Sequence, residues 1–429
     1  MVPLELLEPR RLFAIPHFAH VVVVVEENTP FSDIIGSADA PYLNSLANGG
    51  ALFTQSFSPT HPSQPNYLNL FSGSNQGFTT DDITTAQFTT PNLGADLLAA
   101  GRSFVEYSES LPAVGSLVDQ QGEYTRIHNP ESNWQGAGPN QLPASVNQPF
   151  DFPTDYTTLP AVAFVAPNPL DDMHDGSVAQ ADSWLQSNLG GYAAWAPSHN
   201  SLLIVTCDEG GISGNNPIAT IFYGANVVPG QYSETINHLN VLRTIEDMYG
   251  LPYDGDAAVA TPITDVWLTP PAAPTGLAAA AASTTQINLT WSQPSSNQSG
   301  FTIQRSPDGT NFTTVASTAA TAASYSDTSV SPGTTYFYRV MASNSAGDSP
   351  PSNTANATTP ITLDFSYLVL LARHYGAAAT FATGDLDADG TIGFDDLVLV
   401  ARNYGRTVSP GSLSAALMPV ASQTHGPAR

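Results

Sequence analysis

Between residues 21 and 225 the chain carries six short apolar runs: VVVVV (21–25), ALFTQSF (51–57), SFVEYSE (103–109), AVAFVA (161–166), SLLIVTC (201–207) and ATIFYGA (219–225). Runs this short and this rich in β-branched side chains predict strands buried on both faces. The segments between them have a different period. YLNSLANGG, NLGADLLAAGR, VAQADSWLQSNLGG and NHLNVLRTIEDMYG place apolar residues three and four apart and reach a glycine, which predicts helices with glycine at their ends. Strands alternating with helices predict an α/β domain over residues 19–268, built on a doubly wound, mostly parallel sheet.

The texture changes over residues 269–359, where INLTWSQ, GFTIQRS, NFTTVAS and TTYFYRVMAS are short alternating strands in Thr/Ser/Ala-rich surroundings. This segment resembles a fibronectin type III domain, which implies a β-sandwich with Trp291 in its core and Tyr336, in SPGTTY, at the tyrosine corner. Farther on, LVLLARHYG (368–376) returns as LVLVARNYG (397–405), a shift of 29 with seven of nine positions identical. Ahead of the second copy, DLDADGTIGFDD puts Asp385, Asp387, Asp389, Gly390 and Asp396 at positions 1, 3, 5, 6 and 12 of a calcium loop, with the Thr391 carbonyl at position 7. The first copy has Asn356, Thr358, Pro360 and Tyr367 at positions 1, 3, 5 and 12, and cannot chelate Ca2+ in that way. The pair resembles a dockerin module over 360–406 with one working loop, which implies a cohesin-like or cell-surface partner. Residues 407–429 read as a disordered tail.

All eleven basic residues are arginine, against 37 acids, for a net charge of −26. Such a surface repels polyanions and argues against a nucleic-acid partner. Cys207 is the single cysteine, so no intrachain disulfide forms. No apolar run reaches about 18 residues, and no transmembrane helix is expected. The segment VPLELLEPRRLFA resembles the LEPR-type N-terminal sorting segment of bacterial surface and secreted proteins, and residues 1–18 are set aside from the fold. Low charge content with abundant Ser, Thr, Ala, Gly and Pro points the same way, to a chain secreted or held at the cell surface.

Candidate chemistry gathers at the expected carboxyl ends of the strands, where an open parallel sheet holds its ligands. VVVVV runs into Glu26, Glu27 and Asn28; AVAFVA leads to Asp171, Asp172, His174 and Asp175; SLLIVTC runs into Asp208 and Glu209. A single acid after a strand reads equally as a turn residue or helix cap. Three such clusters brought together without a cation would repel one another, so a divalent metal ion is expected among them. Oxygen ligands suit a hard or borderline ion. Ser63, in THPSQPNYLNLFSGS (60–74), stands just before a helix expected over 66–71 with Pro65 at its first position, where free N–H groups favour an anion. Alone it reads as a cap; beside a metal, its hydroxyl is activated as a nucleophile. His128 falls in a loop, His174 follows an acid cluster, and His238 is expected at a helix start away from the buried face. Each alone reads equally as a surface or capping histidine.

Taken in order, VVVVVEENTPFSDIIG, THPSQPNYLNLFSGS, SFVEYSESLP, IHNPE, FVAPNPLDDMHDGS, LIVTCDEGG and HLNVLRTIEDMYGLP resemble the phosphoesterase family of bacterial acid phosphatases and phospholipases C, related in fold to the alkaline phosphatase superfamily. The resemblance spans nearly all of 20–252. It implies a metal held by Glu27, Asn28, Ser63, Asp208 and Glu209, with Ser63 as nucleophile and Thr60 as the alternative three residues away. It also implies that His174 and His128 contact the phosphoryl oxygens or protonate the leaving group, and that His238 does the same or joins Asp172 at a second ion. The implied reaction is hydrolysis of a small-molecule phosphate ester through a phosphoserine. The domain leaves little room for the loops of a lipid site, which ranks phospholipase C activity behind phosphomonoester hydrolysis. A surface attachment protein that has lost catalysis is the alternative from another class, and the completeness of the acid and histidine set argues against it.

Overall fold

A computed structural model describes residues 15–211, 215–381, 383–410 and 412–413. Residues 1–14 of the expected sorting segment, and the expected tail beyond 413, lie outside the described residues. The chain divides into two compact units, Met1–Leu268 and Thr269–Arg429.

The first unit is built on one sheet of eight strands: β1 (His20–Glu26), β2 (Ala51–Ser56), β3 (Phe104–Ser108), β4 (Asn147–Pro149), β5 (Val162–Ala166), β6 (Ser201–Cys207), β7 (Thr220–Gly224) and β8 (Gly230–Ile236). Their order is β8-β2-β7-β6-β1-β5-β3-β4. All six apolar runs are strands. The sheet is mixed, because β7 runs antiparallel to both β2 and β6 while the other pairings are parallel. No described helix joins β6 to β7, so the chain turns back there instead of crossing over.

The period of two along β1 divides the core. Val21, Val23 and Val25 join Phe53, Phe164 and Ile204 on one face, and Val22 and Val24 join Leu52, Val165 and Leu203 on the other. All five valines are at most 2% exposed, each contributing about 1.5–3 kcal/mol of transfer free energy. Five helices of seven or more residues cover these faces: α1 (Pro41–Gly49), α2 (Ser63–Ser72), α3 (Leu93–Ala99), α4 (Val178–Trp195) and α5 (His238–Tyr249). The first face receives α2, α3 and α5; the second receives α1 and α4. Two helix boundaries differ from expectation. The α4 helix continues through Gly190 and Gly191 to Trp195, because Leu189, Tyr192 and Ala193 pack into the core and outweigh the glycines. The α2 helix begins at Ser63 itself, with Pro65 still inside the first turn, where its missing N–H has no intrahelical acceptor to lose.

Because β1 pairs in parallel with both β5 and β6, their carboxyl ends share one edge of the sheet. Glu26 lies beside Cys207 and Val24 beside Val165. That edge is where an open α/β sheet leaves a crevice.

In the second unit, antiparallel sheets spanning 275–358 enclose Trp291, Phe301, Ile303 and Tyr338, and the Tyr336 hydroxyl accepts the Ser331 N–H at 3.2 Å. Helices Phe365–His374 and Phe394–Asn403 then share a core of Tyr367, Leu371, Leu399 and Val400. The boundary expected at 407 is corrected: Thr407–Val408 pairs with Ile361–Thr362, and Leu413 is buried.

Candidate active site

The placement of Ser63 follows from how α2 is held. Ser63 to Leu68, Leu70, Phe71 and Ser72 are all buried, so the helix has almost no solvent face. It ends at Gly73 in the left-handed region (φ +64°), where a Cβ would stand 2.0 Å from the Asp254 carbonyl. Only glycine lets the helix end this close to that turn. With its far end fixed, α2 presents Ser63 at the carboxyl ends of β1 and β6. Ser63 is 4% exposed, and its Oγ donates to Glu27 Oε2 at 3.1 Å. The Asp208 carboxylate is also within hydrogen-bonding reach of the Ser63 hydroxyl. The Thr60 hydroxyl is turned away and donates to the His61 carbonyl at 3.1 Å. Asn66 holds this loop from inside, its Oδ1 accepting from Thr60 N and its Nδ2 donating to the Thr60 and Pro62 carbonyls.

Around Ser63 the acids are deeply buried. Glu27 and Asp172 are 0% exposed, Asp208 1% and His128 3%. Backbone bonds set their spacing: Glu27 N–H donates to the Asp172 carbonyl at 2.7 Å and Asp208 N–H to the Glu26 carbonyl at 2.8 Å. Asn28, at φ +50°, enters through its backbone, donating N–H to Asp208 Oδ1 at 3.2 Å. His128 Nε2 lies 3.2 Å from Glu27 Oε1, and its Nδ1 lies 3.2 Å from Asp172 Oδ2. Neither contact is aligned as a hydrogen bond, and Glu27 Oε1, Asp172 Oδ2 and Asp208 Oδ2 are buried without a donor. Tyr67 stacks on the His128 ring, centroids 5.3 Å apart and planes 10° apart. Burial, then the charges of Asp208 and Asp172, push the Glu27 carboxyl well above its ordinary value; burial and Glu209 do the same to Asp208.

Donor atoms of Glu27, His128 and Asp172 lie within 4.8 Å of one another. Buried carboxylate oxygens with no donor are costly unless a cation meets them. These residues therefore fit a divalent metal ion, and the group differs from the one expected: His128 and Asp172 belong to it. Glu209 turns instead to His61, with Oε2 2.8 Å from His61 Nδ1 and 3.4 Å from Asn66 Nδ2.

The histidines separate by environment. His174 is at the rim, its side chain 38% exposed, with Nδ1 3.0 Å from Asp175 Oδ1 and its ring 5.9 Å from that of His128. The expectation for His238 is corrected. It is the first residue of α5 but only 1% exposed, with Nε2 2.7 Å from the Asp208 carbonyl. Burial lowers its pKa to about 4, and its ring braces the Asp208 turn. Asp172 meets His128, not His238. Sequence reasoning missed His61, Tyr67 and Asn66, all within six residues of Ser63 in the same quoted stretch.

In the second unit, donor atoms of Asp385, Asp387 and Asp396 lie within 4.8 Å of one another. Asp396 accepts the N–H groups of Leu386 and Gly393, each at 2.7 Å, and Asp385 accepts those of Asp389 and Gly390 at 3.1 and 3.0 Å. Asp389 accepts from the Thr391 N–H and hydroxyl.

Comparison with known proteins supplies the context for this geometry. Residues 37–252 match the Phosphoesterase family, and residues 272–358 match the fibronectin type III domain. A Mycobacterium tuberculosis protein named phosphatidylinositol-3-phosphatase is 51% identical over 257 residues, covering 59% of this chain and 84% of that protein. A probable acid phosphatase of Kluyveromyces lactis is 28% identical over 58% of this chain, and a phosphate-repressible acid phosphatase of Penicillium chrysogenum 27% identical over 55%. The chain spans 65% and 60% of the length of those two. With half the chain matched by one family model, and a named phosphatase 51% identical across 84% of its own length, the chain belongs to the Phosphoesterase family and is a phosphoric ester hydrolase.

Proposed function

We propose that the first unit is a metal-dependent phosphomonoesterase working through a phosphoserine at Ser63. The observation that carries this reading is the 3.1 Å hydrogen bond from Ser63 Oγ to Glu27 Oε2 at the first residue of a buried helix, while Thr60 faces away. Ser63 Oγ attacks phosphorus as its proton passes toward Glu27. The bond from phosphorus to the leaving oxygen breaks, and that oxygen takes a proton from His174, the exposed histidine at the rim. Water then attacks the phosphoserine with the now neutral His174 accepting its proton; the Ser63 Oγ–P bond breaks and Ser63 regains its hydrogen. Tyr67 and Asp172 hold the His128 ring, and His238 holds the carbonyl of Asp208. A metal ion bound by Glu27, Asp172, Asp208 and His128 would offset the buried acids, favour the serine alkoxide and stabilise the charge on the phosphoryl oxygens. The names of the relatives, acid phosphatases and a phosphatidylinositol-3-phosphatase, support a phosphomonoester as substrate.

The Asp385–Asp396 loop is proposed to bind Ca2+ and to support a dockerin-like module on an exported chain, an arrangement suited to holding the enzyme on a cohesin-like or surface partner. The test of the enzyme is turnover of p-nitrophenyl phosphate by the full chain, with acid-quenched protein searched by mass spectrometry for phosphate on Ser63. Turnover without any phosphoserine on the 60–74 peptide would replace the covalent route with direct attack by water.

A further inference from the structure

His128 sits where the chain makes two short turns, Arg126–His128 and Pro130–Trp134, and every residue from His128 to Trp134 is buried. Buried turns have few ladder hydrogen bonds of their own, so side chains must hold them. Trp134 packs on Phe71 of α2, ring centroids 5.5 Å apart. Arg126 ties the segment to itself through Ser132 Oγ, the Ser132 carbonyl and Asn133 Oδ1. Links to the sheet converge on Glu131 and Asn129. Glu131 is 1% exposed, and its carboxyl is within hydrogen-bonding reach of that of Glu106, on β3, which is also 1% exposed. With its amide nitrogen toward Glu131, Asn129 donates to Glu131 Oε1 at 2.7 Å, while its Oδ1 accepts from the hydroxyls of Ser108 at 2.9 Å and Tyr124 at 3.3 Å. Asn129 follows His128 directly, so a displacement of Glu131 is passed to the histidine through one residue.

Two carboxylates in contact at a buried site cannot both be charged. With a proton between them, one carboxyl donates to the other and the pair carries a single negative charge. Arg126, 3% exposed, places a matching positive charge beside Glu131. Its other acidic neighbour, Asp119, is exposed and 3.8 Å away. Tyr124 also faces the two acids; burial first, then their charges, push its hydroxyl up, so it stays protonated.

We propose that Glu106 and Glu131 share one proton and that this bridged pair is the positioning device for His128, fixing its ring between Glu27 and Asp172. Neither acid touches the substrate. Burial raises both carboxyls above their ordinary value, and for Glu106 the charge of Glu131 adds to it. The bridge is therefore complete at low pH and is lost as pH climbs through the raised values. Two negative charges then face one guanidinium, and the segment loses its anchor on β3.

Glu106→Gln keeps the shape of the side chain and replaces the shared proton with an amide N–H that alkali does not remove. The activity readout rests on the phosphomonoesterase reading: kcat of the full chain on p-nitrophenyl phosphate is measured from pH 6 to pH 9 for variant and parent in the same metal. The variant-to-parent ratio should rise at least about 5-fold across that range, because each pH unit beyond the loss of the proton removes about tenfold of the bridged form. A flat or falling ratio would overturn the proposal, since packing alone shifts kcat equally at every pH. Should Glu106→Gln fail to fold, Glu131→Gln makes the same replacement from the other side, with the same expectation. A second readout needs no turnover. In full chain carrying 13C-labelled histidine, the His128 Cε1–H signal, identified by its loss in His128→Gln, should move farther between pH 7 and pH 9 in the parent than in Glu106→Gln. Equal movement in both would also overturn the proposal. A parent that hydrolyses no phosphomonoester would sink the phosphomonoesterase reading, and the His128 signal would still decide the role of the pair.

Discussion

Two acid clusters in this chain look alike in composition and differ in how their oxygens are satisfied. In the loop Asp385–Asp396 the candidate ligands come from twelve consecutive residues, and Asp385, Asp389 and Asp396 each accept backbone N–H groups of the same loop. At the ends of β1, β5 and β6 the candidate ligands come from separate segments, and Glu27 Oε1, Asp172 Oδ2 and Asp208 Oδ2 are buried without an aligned hydrogen bond. The loop makes most of its own hydrogen bonds, so an ion adds to a turn that is already shaped. The buried cluster cannot satisfy itself, and a bound cation would restore its electrostatic balance. Perturbing the two should therefore give effects of very different size.

The largest effect is expected at Ser63. Ser63→Ala removes the attacking oxygen while leaving a small residue at a helix start, and kcat on p-nitrophenyl phosphate should fall by about 10³ or more, with the fold retained by circular dichroism. Thr60→Ala, whose hydroxyl bonds only the His61 carbonyl, should fall by less than about 10-fold. Comparable losses in both would assign the nucleophile wrongly. Next in size is the cluster's cation. Chelator should abolish turnover, and Asp208→Asn should lower kcat by about 10² together with the metal content of the purified protein. Full activity with no metal retained would remove the cation from the comparison.

The same contrast appears in pH dependence. In the first unit, burial and then neighbouring carboxylates hold Asp254 at about 8, and burial holds Glu246 at about 7, both above the usual carboxylate range. A carboxyl raised in the folded state stabilises fully below its unfolded value near 4 and loses that contribution as pH climbs through the raised value. With chelator present, the first unit should lose stability from about pH 5 to pH 8. In the second unit, Asp327 is lowered: burial alone would raise it, but hydrogen bonds from Ser329, Tyr338 and Arg305 outweigh burial. Its contribution is present above the unfolded value and disappears as pH falls through the lowered one. The two units should therefore lose stability in opposite directions. Asp254→Asn should raise the melting temperature of the first transition at pH 8 by about 2–4 °C and change it little at pH 5. A first transition that strengthens toward pH 8 without metal would contradict the buried-acid account.

What could be read from sequence, and what could not, divides along the same line. Strands such as Val21–Val25 were legible because β-branched continuity and burial on both faces coincide. The β8 strand was not: GQYSETI is polar and largely exposed, an edge strand held by its ladder to β2 rather than by apolar content. The calcium-type loop is contiguous, so spacing alone marks it. Glu27, Ser63 and Asp208 could be nominated because each sits at a strand end or a stiff turn. The meeting of His128 with Asp172 and Glu27 could not, since those residues are separated by dozens of positions and joined only by the topology of the sheet. His238 shows the converse: its place at a helix start was legible, but its burial follows from α5 packing under the Asp208 turn, which only the fold determines.

The smallest expected effect sharpens the comparison from the side of the loop. Asp396 is a poor probe, because its two oxygens accept the N–H groups of Leu386 and Gly393, and removing them costs about 1–3 kcal/mol whether or not an ion is present. Asp387 is a better one. It is more exposed, and its Oδ1 accepts only the Asp389 N–H, at 3.2 Å. Asp387→Asn keeps an oxygen for that bond and removes one negative charge from the set of three donors. Without Ca2+ the variant and the parent should melt within about 1 °C of each other, whereas the increment that Ca2+ adds to the second unit, about 2–4 °C in the parent, should fall by at least half. An increment equal in both proteins would show that the loop is held by its backbone bonds alone and that its acids are only a shaped turn.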